Sequence, residues 1–598
     1  MAQSIKIFQE LVSAPSNKMK YPAQCGAAMS YNVYLENNTS SNTYLRGIEG
    51  IKTRLSKEGL GEYTMMTVSS VGQKKYNYEP SLFLVRNNSL YRYNTNLDEE
   101  LLYENIEIDP SVGVKCAESG GENPCMFFVN GSDIMYAIRL KDDGSDLFEI
   151  QLPKKLDSDT DRVKGSDIAV VNGSIVVVDK DTSFVYYTIP YPLAQDTRVV
   201  YRMNINGTKY EPVYEDDGVT PKWVMLKTDG RYEYDYDTGE TGDLIDAQEN
   251  VYSYTFLDDY HTKQYFSAES SSDIVKGIYT LGKTLVLFGS NSIEFYDRGD
   301  AESYKTWQRL SFTNYKEHGL YSRNTVASTD GVIFYVGQSD FATMSINAIQ
   351  NTTVTKVSPV WVDELLRNHT VGYGFSYNRY GHSFYCLELN SNDITESDKT
   401  LVYDLTTQQW HFRVSRRTGT SQLYKWSARF AVRFNDEILC GSNRYNSIFA
   451  LDDTYYYEDV NPDNTVATKI PLYRCRTSPM MINEYKPFNF LQMTLEGTVG
   501  TAQDYQTSQD ILSESGEVIT QIKDYNPKIL LEISNDGGYT YGGVFESYLG
   551  RRGDYTFRTM WNNLGNYRQC VLKITYTEPT PFMISSVSMR VASSFQVI

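Results

Sequence analysis

Apolar residues along this 598-residue chain come in runs of four to six, separated by clusters of Gly, Asn, Asp and Ser. Runs of that length between turn formers predict short, well-buried strands joined by hairpins. Helical spacing is almost absent, and the one helix expected is short, Val360 to Arg367. One order of runs repeats. Ile278–Leu281, the turn Gly282-Lys283, Thr284–Phe288, the turn Gly289–Asn291 and Ile293–Tyr296 read as strand, turn, apolar strand, turn, strand. The order recurs at Thr325–Ala327, Asp330-Gly331, Val332–Val336 and Gly337–Ser339. It returns at Ala431–Phe434, Asn435-Asp436, Glu437–Cys440, Gly441–Asn443 and Ile448–Ala450. Gly289 and Gly337 are 48 positions apart. Gly337 and Gly441 are 104 apart, room for one more copy, built on Ser383–Cys386 and Leu401–Asp404. Upstream, similar strand centres fall near Phe83, Phe127 and Val177. The last sits in a hairpin, Ile168–Val178, turning on Asn172-Gly173.

Four strands per repeat of roughly 40–50 residues is the pattern of β-propeller blades. The fold expected is therefore all-β: a six- or seven-bladed β-propeller with an inserted segment, followed by a C-terminal β-sandwich-like domain. The divisions expected are an N-terminal arm over 1–43, a propeller over 44–454, a linker over 455–469 and a C-terminal β domain over 470–598. Residues 190–261 are too long for an inter-blade loop and read as an insertion, acidic and Tyr-rich between Asp229 and Glu249. Asn461-Pro462-Asp463 marks the linker. After it come alternating strands such as Leu491–Leu495 and Val571–Tyr576.

Composition narrows the function classes. The chain holds 50 Tyr and 25 Phe against 6 Trp, which suits half-buried sheets and subunit contacts. Its net charge of −19 disfavours gripping phosphates, since non-specific DNA binding rests on Lys and Arg displacing counterions. An acidic wall can still let DNA slide past. Met1–Gln9 lacks the basic-then-apolar pattern of a signal peptide, and no apolar run is long enough to span a bilayer. Seven scattered Cys without a Cys-x-x-Cys pair read as reduced thiols of a protein made in a reducing cytoplasm.

Candidate chemistry is thin. The five histidines (261, 318, 369, 382, 411) show no metal-ligand spacing and read as loop or strand-surface residues. No nucleophile elbow, phosphate-binding loop or dinucleotide fingerprint is present. No catalytic, cofactor or metal residue is therefore named. Ser534, Asp536, Gly538 and Thr540, followed by Tyr541, resemble the Asp box Ser-x-Asp-x-Gly-x-Thr-Trp. Such boxes occur in sialidases, so a propeller glycosidase or depolymerase, or a carbohydrate-binding adhesin, is the alternative reading. A glycosidase needs two carboxylates, or a Tyr and a carboxylate, converging across a cleft, and nothing singles out a pair among 75 acidic residues. The box is read as a structural hairpin turn. Arg413, Arg416, Arg417, Arg429 and Arg433 cluster near the last blade and read as solvated edges, or else as a patch facing an acidic neighbour or DNA.

The order Phe266–Ser270, Asp273-Ile274, Gly277-Ile278 and Phe288–Tyr296 resembles the packaged-DNA stabilisation, or tail hub, family of short-tailed bacteriophages. The resemblance continues through Lys316–Leu320, Leu401–Asp404 with Gln409-Trp410, Leu531–Tyr541 and Trp561–Gly565. It opens at Tyr31–Tyr34 and Tyr44–Ile51. It implies a non-enzymatic virion tail protein that forms a homo-oligomeric ring, six copies, below the portal and its adaptor. Tail fibres or tailspikes would attach to the ring, a plug or needle would close it, and packaged double-stranded DNA would pass through without sequence-specific binding. The acidic segment within 190–261 departs from the family pattern.

Overall fold

A computed structural model describes residues 4–7, 10–14, 28–37, 43–69, 79–119, 125–141, 144–156, 158, 160–171, 174–188, 202–203, 209–214, 221–226, 232–233, 265–268, 273–298, 307–316, 318–339, 343–392, 397–416, 422–460, 468–483, 486–498, 509–512, 518–522, 526–551, 553–555, 557–592 and 596–597. The chain divides into two compact units. One comprises residues 1–62, 324–334 and 357–598, the other residues 63–323 and 335–356.

The second unit carries four successive antiparallel sheets of four strands. Blade one is Tyr63–Ser69, Ser81–Arg86, Ser89–Tyr93 and Glu99–Tyr103. Blade two is Lys115–Glu118, Met126–Val129, Ile134–Lys141 and Gly144–Gln151. Blade three is Gly165–Val171, Ser174–Asp179, Phe184–Tyr187 and, after the insertion, Tyr265–Ser267. Blade four is Val275–Leu281, Thr284–Gly289, Ser292–Arg298 and Trp307–Lys316. Apart from Thr284 at its start in blade four, the second strands of these blades are buried at every position for a simple reason. Side chains alternate across a strand, and the second strands of blades two and three each have a neighbouring blade of this unit on both faces. Phe127 and Val129 pack with Ile168, Ile175 and Val177 of blade three, while Met126 and Phe128 pack with Phe83 and Val85 of blade one. One blade on, Val176 and Val178 pack with Ile278, Leu285 and Leu287 of blade four. Burial on both sides turns alternation into the unbroken apolar runs seen in the sequence.

Blade five contains strand Val332–Gln338, whose residues 332–334 belong to the first unit and 335–338 to the second. The start of that strand pairs with Ala327–Thr329 and its end with Gly319–Leu320, and Met344–Gln350 pairs with Thr353–Lys356. Gly337 ends this strand tightly, since a Cβ there would lie 2.2 Å from the Asn347 amide.

The first unit holds blade six, His369–Arg379, His382–Ser391, Lys399–Asp404 and Gln409–Arg416, preceded by the helix Val360–Arg367. Blade seven is Ala428–Phe434, Glu437–Ser442 and Tyr445–Asp452, and its fourth strand is Gly50–Leu60 from the start of the chain. Seven sheets of four or more strands in this order make a β-propeller.

The same unit contains a β-sandwich. One sheet runs Val33–Asn37, Thr43–Gly47, Met583–Val591, Phe488–Thr498 and Arg558–Tyr567, with Ser4–Ile7 on the free side of Met583–Val591. The other uses Arg474–Thr477, Gln569–Tyr576, Lys528–Ser534 and Phe545–Tyr548. Leu35, Leu45, Phe490, Leu495, Leu531, Ile574 and Val587 fill the space between. Residues 4–7 and 33–37, within the stretch read as an arm, and Thr43–Gly47, which runs from its end into the stretch read as propeller, are therefore sandwich strands. Within 455–469, Tyr457–Val460 and Thr468 onward pair as a hairpin, and Glu458 lies parallel to Ile51. Of the 190–261 insertion, Arg202–Met203, Lys209–Tyr214, Pro221–Leu226 and Tyr232–Glu233 form a small antiparallel sheet. The rest of its acidic, Tyr-rich stretch and the turn at Asn172-Gly173 lie outside the described residues.

Candidate functional site

The densest polar chemistry among the described residues lies where the last two blades meet the sandwich, all within the first unit. It begins with strand Ser30–Tyr31, which pairs parallel with blade six at Phe412 and antiparallel with sandwich strand Arg474–Thr477. Asn32 follows with a left-handed backbone (φ 55°), which Asn tolerates better than most residues. Its buried amide donates to the carbonyls of Val414 (2.7 Å) and Tyr473 (2.8 Å) and accepts from the Val414 N–H (2.9 Å). One side chain thus bonds both sheets.

Three ion-paired groups flank it. Glu49 accepts from the Tyr377 hydroxyl (2.8 Å) and faces Arg413 Nη1 (3.3 Å). Burial alone would raise the Glu49 pKa, but Arg413 and Arg379 outweigh it and hold the carboxyl below its ordinary value. The Arg413 guanidinium also lies over the rings of Trp426 (4.6 Å), Phe384 (4.9 Å) and Tyr377 (5.1 Å). His382 Nδ1 donates to Asp404 (2.8 Å), and its Nε2 stands 3.7 Å from Glu36 on the sandwich hairpin. Burial pulls its pKa down, yet the two carboxylates prevail and lift it to about 9. Glu388 takes two bonds from Arg429 (2.6 and 2.7 Å) and one from Lys425 (3.3 Å), while Arg429 reaches on to Glu62 (2.6 Å).

These placements correct two expectations. Arg413 and Arg429 are not solvated edge residues; both are buried and paired with carboxylates distant in sequence. Arg416 is half-buried and donates to the Pro471 carbonyl, Arg433 is exposed beside Asp436, and Arg417 lies outside the described residues. His369, His382 and His411 are buried, not surface residues. His411, enclosed and facing Arg413 and His382, is held well below the usual imidazole range. His318 is half-buried, and His261 lies outside the described residues. No sequence signal marked Glu49, Glu388 or Asp404 as partners, because each is a lone acid in a β stretch until the fold supplies its cation.

Nucleophiles are quenched in the same way. Six cysteines are free thiols, and burial pushes Cys386 up to about 12; Cys25 lies outside the described residues. Among the described residues no group of three His, Cys, Asp or Glu is placed to hold a metal ion. Among the described residues no helix is long and apolar enough to cross a membrane.

The Asp-box-like turn lies at the sandwich end of this unit, between Lys528–Ser534 and Phe545–Tyr548. Asp536 accepts from the N–H groups of Tyr539 (3.0 Å) and Thr540 (2.9 Å) and from the Thr540 hydroxyl (2.5 Å). The Ser534 hydroxyl donates to Asp536 (2.7 Å) and accepts from the Gly538 N–H (2.8 Å). Gly537 and Gly538 take φ of 83° and 98°, open to glycine at no steric cost. Every carboxylate bond is spent inside the turn.

In the second unit, two buried aspartates do similar work. Asp167 accepts from the Ile278 N–H (2.8 Å) and from Arg323, joining blade three to blade four. Asp273 accepts from the Asn291 N–H (2.9 Å) and the Ser292 hydroxyl (3.0 Å), which fixes the Ser290–Ser292 turn.

The fold thus defines a β-propeller protein whose last blades are welded to a β-sandwich. Residues 246–456 match the family model described as "Phage_stabilise: Bacteriophage P22 Gp10, beta-propeller", which supports a packaged-DNA stabilisation family of phage proteins. Solved structures to which the chain is similar include the WD40 domain of SCAP from fission yeast, at 10% identity, covering 75% of this chain and 98% of that one with a TM-score of 0.31. Another is the Cps50 (Swd1) β-propeller domain from Myceliophteria thermophila, at 7% identity, 67% and 98% coverage and a TM-score of 0.34. At those scores the fold assignment rests on the sheets and the family match. No curated protein matches the chain.

Proposed function

We propose that this chain is a structural virion protein, the tail hub or nozzle ring that continues the DNA exit channel below the portal and adaptor, retains packaged DNA and anchors tail fibres or spikes. The observation that carries the reading is the family match across residues 246–456, which covers blades four to six and the first three strands of blade seven. Its partners are copies of itself, six in a ring, the adaptor, a fibre or tailspike, a plug or needle, and duplex DNA passing through. The propeller (44–454), its insertion (190–261), the linker (455–469) and the C-terminal domain (470–598) are the parts of this hub, and the arm (1–43) ties its two ends together.

Physical chemistry supports a conduit. A net charge of −19 per chain makes a wall that does not hold phosphates. Carboxylates neutralised by Arg and His, and thiols held protonated by burial, serve cohesion and not proton transfer. The protein acts without catalysis in this reading, and the Asp-box-like turn is structural. Particles assembled without this chain test it. They are expected to package DNA and then lose it, leaving empty capsids. Particles that keep their DNA and lack only host attachment would contradict it and favour an adhesin or depolymerase.

A further inference from the structure

Among the described residues five arginines bury their side chains almost completely, and four of them have either a carboxylate partner or a bond from every nitrogen. Arg86 pairs with Glu99, Arg413 with Glu49 and Arg429 with Glu388. Arg476 has no carboxylate but gives a bond from each nitrogen, to the Leu11 and Ala14 carbonyls and the Ser30 hydroxyl. Arg474 differs. It is 1% exposed, and no carboxylate among the described residues pairs with it. Its Nη1 donates to the carbonyls of Thr580 (2.9 Å) and Glu578 (3.2 Å), and its Nε has no partner among the described residues. The rings of Tyr456 and Tyr576 stand 5.5 and 5.8 Å from the guanidinium carbon. A buried charge without a counter-charge costs several kcal/mol. Desolvation accordingly lowers its pKa to about 10.

Arg474 lines a cavity of about 250 Å³ between the sandwich and the last blade, both within the first unit. The other charges on the lining are already neutralised. Glu49 faces Arg413, Asp453 faces Arg379 (3.5 Å) and Arg46 faces Glu36 (3.3 Å). Among the described residues the balance in the cavity is one unmatched positive charge. Gly47, on the lining, lets the Arg474 side chain pack against its backbone; a Cβ there would lie 2.7 Å from Nε.

We infer that this cavity is a binding site for one monovalent carboxylate, held by the Arg474 guanidinium. A planar fork matches a carboxylate, and one charge completes the balance. A phosphate dianion would bring a second charge facing Glu49 and Asp453. The carboxylate has two possible sources with the same chemistry, a free small acid or an acidic side chain of another tail chain. The second source rests on the tail-hub reading; the acetate response of the free chain does not.

The test uses the full chain and sodium acetate, with sodium chloride at equal ionic strength as the reference. The melting midpoint is expected to rise saturably with acetate and not with chloride. Arg474→Lys, whose point ammonium keeps the charge, is expected to raise the half-saturating acetate concentration at least tenfold. No acetate-specific rise in the natural chain, or the same half-saturating concentration in Arg474→Lys, would overturn the site. A response in the free chain that disappears in assembled particles would identify the occupant as a partner's side chain, and one that persists would identify a free acid.

Discussion

Asn32 shows how much one residue can hold. Its side chain is 0% exposed and makes three bonds to backbone groups on two sheets, while its backbone occupies a region that β-branched residues avoid. Asn32→Asp keeps the shape but turns an oxygen toward two carbonyls. It is expected to destabilise the protein by about 2–4 kcal/mol, the cost of leaving buried polar groups unsatisfied. A chemical-denaturation midpoint equal to that of the natural chain would refute this role. His382 gives a pH dependence. Its folded pKa, lifted to about 9, lies above the ordinary imidazole value of about 6.5. The bond to Asp404 and the approach to Glu36 therefore stabilise the fold fully below about pH 6.5, and this contribution fades as pH rises through 9. The stability gap between the natural chain and His382→Gln should be wide at pH 6 and narrow at pH 10. A gap that widens with pH would mean that His382 is buried neutral.

At the scale of elements, the sandwich is not built from the C-terminal sequence alone. Strands Ser4–Ile7, Val33–Asn37 and Thr43–Gly47 all come from the beginning of the chain. A fragment of residues 470–598 is expected to remain unfolded by circular dichroism and to show a collapsed amide spectrum, because one of its sheets lacks its outer strands and a large apolar face stays wet. A dispersed spectrum from that fragment would contradict this. The distribution of sequence signals follows the same physics. Second strands of blades were legible, since burial on two faces makes contiguous apolar runs such as Ser174–Asp179. The helix Val360–Arg367 was legible from its apolar stripe. The fourth strand of blade seven was not, because Gly50–Leu60 pairs with Tyr445–Asp452, and no local pattern records a partner so far along the chain. The coupling site was illegible for a related reason. A lone Arg413 or Arg429 in sequence resembles a solvated residue, and only the fold brings Glu49 and Glu388 within reach. Asn32 lay inside the Tyr31–Tyr34 motif, but its role needs both sheets to be seen.

At the scale of the whole molecule, two properties combine in the proposed account. The chain's ends are tied into one unit by sheet pairing, with no loose strand at either end of the propeller repeat. Its net charge of −19 gives a surface past which DNA moves without being held. Both suit a subunit that must keep its shape beside pressurised DNA and let that DNA leave. Cryo-electron microscopy of intact virions, with this chain located by a bound antibody, tests the claim most directly. The account predicts a closed ring of copies on the tail axis beneath the portal, with the channel passing through it. Finding the chain only at the tip of a peripheral fibre would contradict it.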